Sequence, residues 1–158
     1  MSLVAGSGTS VDVEVLREVT GDYVEAVSRL LPQLSRAPVP SRDHLRRVLD
    51  HEANAVVVAR DPGTGRIVGM TTLVTFPLAT GVRSWIHDVV VDEAWRGRGV
   101  GRALTRAAVE EAERRGAWTV DLTTRPWRED ANRLYERAGF ERRETSVYRK
   151  TLPANPMP

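Results

Sequence analysis

The stretch that decides the fold of this chain lies between positions 89 and 104 and reads VVVDEAWRGRGVGRAL. Consecutive valines predict a buried strand, an arginine- and glycine-rich loop follows, and apolar residues at helical spacing begin directly after the loop. Glycine lets the backbone adopt positive φ and approach a ligand closely, and free N–H groups at a helix start attract anions. Arg96, Arg98 and Arg102 add charged, forked donors that suit phosphate oxygens. The stretch therefore predicts a pyrophosphate site.

Three phosphate-binding patterns compete for this loop. A P-loop requires the pattern Gly-x-x-x-x-Gly-Lys-Ser/Thr, but the chain's only lysine is Lys150. A dinucleotide fingerprint requires a third glycine or alanine where this chain has Arg102. The third pattern is Arg/Gln-x-x-Gly-x-Gly/Ala between a strand and a helix, and Arg96, Gly99 and Gly101 match it. This pattern resembles the coenzyme A pyrophosphate loop of the GNAT acetyltransferases.

A second motif strengthens the resemblance. Asn132, Tyr135 and the pair Gly139-Phe140 are similar to the Asn-x-x-x-Tyr-x-x-x-Gly-Phe-like signature of the GNAT family, here with Asn and Tyr three positions apart. The two motifs stand at the separation that the family shows, and two such motifs are more specific than either alone. The resemblance covers about residues 82–150, and the order of elements before it also fits.

The resemblance implies an α+β fold with a single GNAT-type domain. Its central sheet would be mixed and mostly antiparallel, flanked by helices, with two strands splayed at the acetyl-CoA cleft. The N-acetyltransferase domain is predicted over residues 11–152. Residues 1–10 are rich in serine and glycine and predict a flexible tail, and residues 153–158 predict a second tail.

Hydrophobic periodicity predicts the individual elements. Strands are expected over residues 11–19, 53–60, 67–76, 82–91 and 118–124, with the last strands over residues 140–152. Helices are expected over residues 23–34, 41–51, 100–115 and 127–138, the first capped by Asp22 and the second by Ser41. The strand at 118–124 is expected to lie parallel to the strand at 82–91 through a right-handed crossover.

Composition bounds the class of protein. The chain has 158 residues, 41% apolar and 28% charged, which suits one globular domain with a sizeable core. It contains no cysteine, which excludes disulfides, thiol nucleophiles and zinc–thiolate sites, and no metal is expected. The net charge of +2 argues against a nucleic-acid partner. No apolar stretch has membrane-spanning length and no signal peptide is visible, so no membrane partner and a cytoplasmic location are expected.

The family resemblance assigns roles to the residues of the two motifs. Acetyl-CoA would be the co-substrate. The predicted cofactor-binding residues lie on the strand end, in the loop and at the start of its helix, with one on the later helix: Val89, Val90, Val91, Arg96, Gly97, Arg98, Gly99, Val100, Gly101, Arg102 and Asn132. The backbone of the strand end would bind pantetheine, and the loop would bind the pyrophosphate.

Three residues are predicted to carry the chemistry. Tyr135 matches the family's general acid, and a phenol with a pKa of about 10 can protonate a departing thiolate whose conjugate acid has a pKa of about 8.5. His87 and Asp88 are alternative general bases on the strand before the loop. Strand alternation places one of them on the cofactor side, and a bulge would switch which one. The residues leave the choice open.

The sequence determines the acceptor less closely than it determines the acetyl donor. The run from Asp88 to Asp92, followed by Arg96-Gly97, is similar to the glucosamine-6-phosphate N-acetyltransferase branch, whereas the glycine spacing and residues 122–127 do not clearly follow that branch. A small-molecule primary amine is therefore the expected partner, with an amino-sugar phosphate and an aminoglycoside as candidates. A protein-amine acetyltransferase and a non-catalytic acyl-CoA sensor are the alternatives. The sequence also leaves open whether the protein is a homodimer.

Overall fold

The computed structural model describes residues 2–5 and 9–153 of the chain. The described residues form six strands that lie in one sheet in the order in which they follow in sequence. The strands are β1 (Ser2–Ala5), β2 (Thr9–Val15), β3 (Asn54–Arg60), β4 (Ile67–Leu78), β5 (Gly81–Val91) and β6 (Thr119–Asp121). The helices are α1 (Gly21–Leu34), α2 (Arg42–Asp50), α3 (Val100–Arg114) and α4 (Glu129–Arg137), and a short 3-10 turn spans Glu93–Trp95.

The sheet has the predicted mixture of directions. Strands β1 to β5 pair antiparallel, and β6 lies parallel to β5 after the α3 crossover. The ladder between β5 and β6 joins Arg83, Ser84 and Trp85 to Thr119, Val120 and Asp121, and it ends there. Residues 86–91 of β5 therefore continue without β6 as a neighbour, which opens the sheet on this side. This gap is the predicted splay between the two strands.

Helices cover both faces of the sheet. Helix α3 packs on one face in a cluster that contains Leu73, Ile86, Leu104 and Ala108. Helices α1 and α2 pack on the other face around Leu30, with β-strand residues such as Val56, Val58 and Val90. A Cβ at Gly69 of β4 would lie 3.0 Å from Leu104 and 3.1 Å from Val100, so the absence of a side chain there lets α3 approach the sheet closely. No helix of the described chain is long and apolar enough to cross a membrane.

The amino terminus differs from the prediction. Residues 2–5 form β1, whose backbone pairs with β2 from Ser2↔Asp12 to Ala5↔Thr9, so the tail predicted over residues 1–10 is wrong for this part. The sheet provides an open edge at β2, and an edge strand can order a segment whose composition alone predicts disorder. Positions 1 and 6–8 lie outside the described residues. The first helix begins after Thr20 instead of being capped by Asp22, whereas the Ser41 hydroxyl accepts the predicted cap bond from His44 N at 3.2 Å.

The carboxyl-terminal part also differs. The strands predicted over residues 140–152 are absent from the described chain, and residues 141–153 are exposed with no backbone partner. The strand predicted over residues 118–124 is confirmed only as Thr119–Asp121. Alternation along a sequence is not sufficient for a strand, because a strand also needs a neighbouring ladder to satisfy its N–H and C=O groups. Residues 154–158, which belong to the predicted second tail, lie outside the described residues.

Candidate active site

A β-bulge interrupts β5 beside the open part of the sheet. In the ladder with β4, Thr72 lies opposite His87 but Met70 lies opposite Val90, so β5 carries an extra residue between these pairs. Asp88 has a φ of 53°, the one positive φ of a non-glycine residue among the described residues. The Thr71 hydroxyl donates to the carbonyl oxygen of His87 at 2.8 Å and so stabilises the bulge. Backbone of this kind is costly and is frequent at functional sites.

The bulge decides which way the candidate bases face. Ile86 and Val89 both pack in the cluster under α3 although two residues separate them. The two intervening residues therefore both face away from α3. The His87 ring stacks on Trp85, with ring centroids 6.1 Å apart. Burial raises the pKa of Tyr23 on α1 to about 12, and the negative charge of Asp88 adds to this increase.

A cleft of about 200 Å³ lies at the point where β5 and β6 separate. Its walls are formed by the bulge, the end of β6 and the residues after it, helix α4 and the end of α1. The lining residues are Leu34, Ile86, His87, Asp88, Val89, Leu122, Thr123, Thr124, Arg128 and Tyr135. Thr124 Oγ1 is buried without a hydrogen-bond partner among the described residues, and a molecule in the cleft can supply one. The cleft therefore brings together all three residues predicted to carry the chemistry.

Tyr135 enters the cleft from α4. Burial raises the pKa of its phenol, and the positive charge of Arg128 lowers it by a smaller amount, so the net shift is upward. The ring meets Phe140 edge to face with centroids 5.9 Å apart, and Phe140 N donates to the carbonyl oxygen of Tyr135 at 3.0 Å. Because its pKa is raised from about 10, the phenol keeps its proton throughout the physiological pH range.

The loop before α3 has the backbone of an anion site. Gly97 and Gly99 have φ angles of 73° and 80°, which glycine adopts at little cost. Gly99 is the N-cap of α3 and provides no side-chain cap. The first intrahelical bond runs from Ala103 N to Gly99 O at 3.0 Å, so the N–H groups of the first turn before Ala103 have no intrahelical acceptor. These groups and the positive end of a helix of 15 residues fit a pyrophosphate.

The three arginines of the loop are placed differently. Arg96 is turned back toward the strand, where its Nε donates to Val91 O at 3.3 Å and its Nη2 donates to Gln33 Oε1 at 3.5 Å. The Arg98 guanidinium lies over the Trp95 ring, 5.1 Å from the centroid. Arg102 is exposed on the first turn of α3. Arg96 thus holds the loop against β5 and α1, whereas Arg98 and Arg102 lie at the outer surface of the loop.

Comparison with known proteins agrees with this geometry. The model of the acetyltransferase (GNAT) family matches residues 20–140, which is most of the chain. The chain belongs to the GNAT family. It is therefore an acetyl-CoA-dependent N-acetyltransferase, and both the predicted family and the predicted α+β fold are confirmed.

Several relatives match over most of their length. The chain is 34% identical over 143 residues to a glucosamine 6-phosphate N-acetyltransferase of Trypanosoma brucei brucei, covering 87% of this chain and 95% of that protein. It is 33% identical over 119 residues to glucosamine 6-phosphate N-acetyltransferase 1 of Oryza sativa subsp. japonica, covering 70% of each. An aminoglycoside acetyltransferase from an uncultured soil metagenomic sample has a TM-score of 0.79 at 21% identity, covering 90% of this chain and 97% of its own, which shows the shared fold.

Two residues assigned from the GNAT motifs make contacts within the chain. The side-chain nitrogen of Asn132 donates to the carbonyl oxygens of Arg125 and Arg128 at 3.1 and 2.9 Å, so it shapes the turn before α4. A Cβ at Gly101 would lie 3.0 Å from Leu134, so this glycine allows α3 and α4 to approach each other. The assignment of cofactor contacts to Asn132 and Gly101 stays a prediction.

Some cleft residues are not identifiable from the GNAT motifs. Arg128 and Thr124 lie between the two motifs, and Leu34 comes from the helix farthest from them in sequence. The basic Arg128 one residue before α4 is a weak signal that sequence reasoning could have used. For Leu34, the spacing matches an ordinary core position of an amphipathic helix, so no local signal separates it from the core.

Proposed function

We propose that this GNAT enzyme transfers the acetyl group of acetyl-CoA directly to the primary amine of a small molecule, with an amino-sugar phosphate as the preferred acceptor class. The observation that carries the proposal is the bulge at Asp88, which turns His87 and Asp88 into the same cleft as Tyr135. A proton acceptor and a proton donor then face one space. This is the arrangement that amine acylation needs.

The donor side of the proposal uses the loop and the open strand. The first-turn N–H groups of α3, together with Arg98 and Arg102, would hold the pyrophosphate. Residues 86–91 of β5 have no β6 neighbour, and the amides of pantetheine would complete this side of the strand. The thioester supplies an activated acetyl group and a thiolate leaving group. A backbone N–H group of the bulged segment would donate to the developing oxyanion.

Tyr135 is proposed as the general acid. Expulsion of the thiolate requires a proton, and the phenol lies in the cleft in its protonated form because burial raises its pKa. The proposal also explains why the ring is fixed against Phe140, since proton transfer requires a donor held within hydrogen-bond distance.

The acceptor side is assigned to the bulge. A primary amine is protonated at pH 7 and must lose a proton before attack. We assign proton removal to His87, whose imidazole nitrogen can accept a proton, and binding of the ammonium group to the exposed carboxylate of Asp88. The sequence leaves open whether His87 or Asp88 is the base. This assignment gives each of the two residues its own role on the same face of β5.

An amino-sugar phosphate is preferred over other amines because of the relatives that match along most of their length. The Trypanosoma brucei brucei protein, named as a glucosamine 6-phosphate N-acetyltransferase, is covered over 95% of its sequence. The likeness to the aminoglycoside acetyltransferase, at 21% identity, supports the fold alone. Arg128 contributes a positive charge to the cleft wall and is compatible with an anionic acceptor.

A panel of amines tests the proposed acceptor. Coenzyme A release would be measured with glucosamine 6-phosphate, unphosphorylated glucosamine, an aminoglycoside and a peptide with a free amino terminus. Glucosamine 6-phosphate is expected to give the highest kcat/KM. Preference for the peptide would favour a protein-amine acetyltransferase. Binding of acetyl-CoA without turnover on any amine would favour the acyl-CoA sensor.

The pH profile of kcat/KM tests the roles of the bulge residues. In the wild type, kcat/KM is expected to rise with pH. This rise is the ascending limb of the profile, and His87→Gln should remove or shift it. Asp88→Asn should raise the KM of the acceptor and leave the limb in place. A limb that survives unchanged in both variants would rule out both residues as the base.

The kinetic order tests direct transfer. Because the chain has no cysteine, no acetyl-thioester enzyme can form, so ternary-complex kinetics are expected. Ping-pong kinetics would contradict direct transfer.

A further inference from the structure

The segment between the end of β5 and the glycine loop is held by helix α1, through contacts between residues that are 60 and 63 positions apart in sequence. We infer that Arg29 and Gln33 of α1 are positioning residues for the pyrophosphate loop. They act through residues 92–96 and do not contact the donor themselves. The inference rests on the proposed assignment of residues 96–102 to the pyrophosphate of acetyl-CoA.

Arg29 joins α1 to the strand end. One guanidinium nitrogen, Nη1, pairs with Asp92 Oδ2, and Nη2 donates to the carbonyl oxygen of Ile67 at 2.6 Å. The ion pair is mostly buried, with side chains that are 19% and 14% exposed. The second oxygen of Asp92, Oδ1, accepts from Ala94 N at 3.1 Å. One carboxylate therefore connects the helix to the first turn of the loop.

Gln33 forms a second connection one turn later on α1. Its Oε1 accepts from Glu93 N at 2.9 Å and from Arg96 Nη2 at 3.5 Å. Its Nε2 donates to the carbonyl oxygen of Arg29 at 3.3 Å, which keeps the amide oriented toward the loop. Arg96 is held from the other side by the carbonyl oxygen of Val91. The segment that leads into the loop is thus bonded to α1 at Asp92, Glu93 and Arg96.

The loop depends on this segment for its position. In the described chain, the three residues 97–99 have no side-chain hydrogen bond of their own, and two of them are glycines with positive φ. Their placement follows from Arg96 on one side, from the packed start of α3 on the other, and from the contact of Arg98 with the Trp95 ring. Loss of the α1 contacts leaves α3 in place but releases the entry to the loop. The expected consequence is weaker binding of the pyrophosphate, with little effect on acetyl transfer once the donor is bound.

The test compares two donors that differ in the pyrophosphate. Acetyl-CoA carries the group and S-acetylpantetheine lacks it. Gln33→Leu should raise the KM for acetyl-CoA about fivefold, with kcat within about twofold and kcat/KM for S-acetylpantetheine unchanged. Gln33→Glu keeps an acceptor oxygen for Glu93 N but loses the Nε2 donor to Arg29 O, so its KM for acetyl-CoA should lie between the values of the wild type and Gln33→Leu. Ser28→Ala on the same helix, whose hydroxyl bonds only Val24 O among the described residues, is the matched control and should change neither donor.

Two further variants separate the failure of this inference from failure of the proposed function. Arg29→Met, checked for folding by circular dichroism, should reduce the preference for acetyl-CoA by about tenfold or more. Arg102→Ala tests the loop itself. If Arg102→Ala lowers the preference and neither α1 variant does, the positioning role is overturned and the loop assignment stands. If Arg102→Ala weakens both donors equally or neither, the assignment of the pyrophosphate to the loop falls and the positioning role falls with it, whereas turnover on the amine panel tests the proposed acetyl transfer separately. Equal effects of Gln33→Leu on both donors would also overturn the inference.

Discussion

Two regions of the molecule meet at the cleft. What we call the first wall is β5 together with the glycine loop and α3 that follow it, and of these only β5 lines the cleft itself. The second wall is β6, α4 and the residues between them. In the first wall, α3 buries Val100, Leu104 and Ala108 against the sheet, and α1 holds the entry to the loop. In the second wall, α4 has no fully buried residue and β6 pairs at three positions. Beyond α4, residues 141–153 add no backbone hydrogen bond to any described residue.

The difference follows from what each wall does in the proposed reaction. Backbone N–H groups stabilise an anion effectively only when they are already aligned before it binds, so the donor-binding wall needs a packed support. A wall with few buried contacts opens at lower cost in free energy, which suits the side from which substrates enter and leave. Tyr135 stands on this second wall, where Phe140 is its anchor.

The largest effect is expected from Tyr135→Phe, which removes the proposed acid and keeps the ring on Phe140. A general acid typically contributes about 10²–10⁴-fold in rate, so kcat should fall by a factor in this range. Acetyl-CoA affinity, measured by calorimetry, should stay near the wild-type value because the first wall is untouched. Tyr148→Phe is the control, since Tyr148 is 93% exposed. A decrease in kcat of less than about threefold, with chemistry rate-limiting, would make Tyr135 a packing residue.

The next effect concerns the support of the first wall and depends on pH. Burial raises the pKa of Glu111 on α3, but hydrogen bonds from Arg115 and Arg114 lower it by more, so the net shift is downward. The ionised form therefore stabilises the fold above the unfolded-state pKa of about 4.3, and this contribution is lost as pH falls through the lower folded-state pKa. Glu111→Gln should lower the free energy of unfolding by about 2 kcal/mol at pH 7.

Urea unfolding at pH 7, 5 and 3 measures this dependence. The difference between wild type and Glu111→Gln should be full at pH 7 and should shrink toward the most acidic pH, as the carboxyl becomes protonated. A difference that does not change with pH would mean that the charge of Glu111 contributes nothing and that its packing alone matters.

A smaller effect is expected from a charge placed in the loop. Gly97 has a φ of 73° and an added Cβ would meet no atom within 4 Å, so Asp and Asn at this position share the same backbone cost and fit equally. Gly97→Asp puts a negative charge beside the proposed pyrophosphate. It should bind acetyl-CoA about tenfold more weakly than Gly97→Asn, which corresponds to about 1.4 kcal/mol. Equal affinities of the two variants in calorimetry would place the pyrophosphate elsewhere.

The smallest effect is expected outside the cleft, at the end of the second wall. Val147 is 71% exposed and lies in the segment without backbone hydrogen bonds. Val147→Asp should change the free energy of unfolding by less than about 0.5 kcal/mol, as for an ordinary surface position. For comparison, Leu104→Ala in the first wall should lower the free energy of unfolding by about 2–5 kcal/mol. A large loss at Val147 would show that this segment pairs with a sheet edge in solution.

The elements that the sequence predicts well are those with local causes. The strands β3, β4 and β5 and the helix α3 follow from alternation, turn residues and helical spacing, which are properties of neighbouring positions. The loop from Arg96 to Arg102 is predictable for the same reason, since glycine and arginine at these spacings favour an anion. The predictions fail where strand pairing decides the structure. Residues 2–5 form a strand because they pair with the edge of β2, and residues 140–152 form none because no described strand pairs with them.

What the sequence by itself determined is the set of candidate groups: a glycine- and arginine-rich loop before a helix, a tyrosine proposed as the general acid, two candidate bases and no thiol. The tertiary structure decided how these groups face one another. Alternation allows His87 or Asp88 to face the cleft, and the register against β4, fixed by the Thr71 hydroxyl, turns both toward it. The hydrogen bond from Glu93 N to the Gln33 side chain joins positions 60 residues apart. No local sequence pattern encodes such a contact, because it forms only when the helix and the sheet pack together.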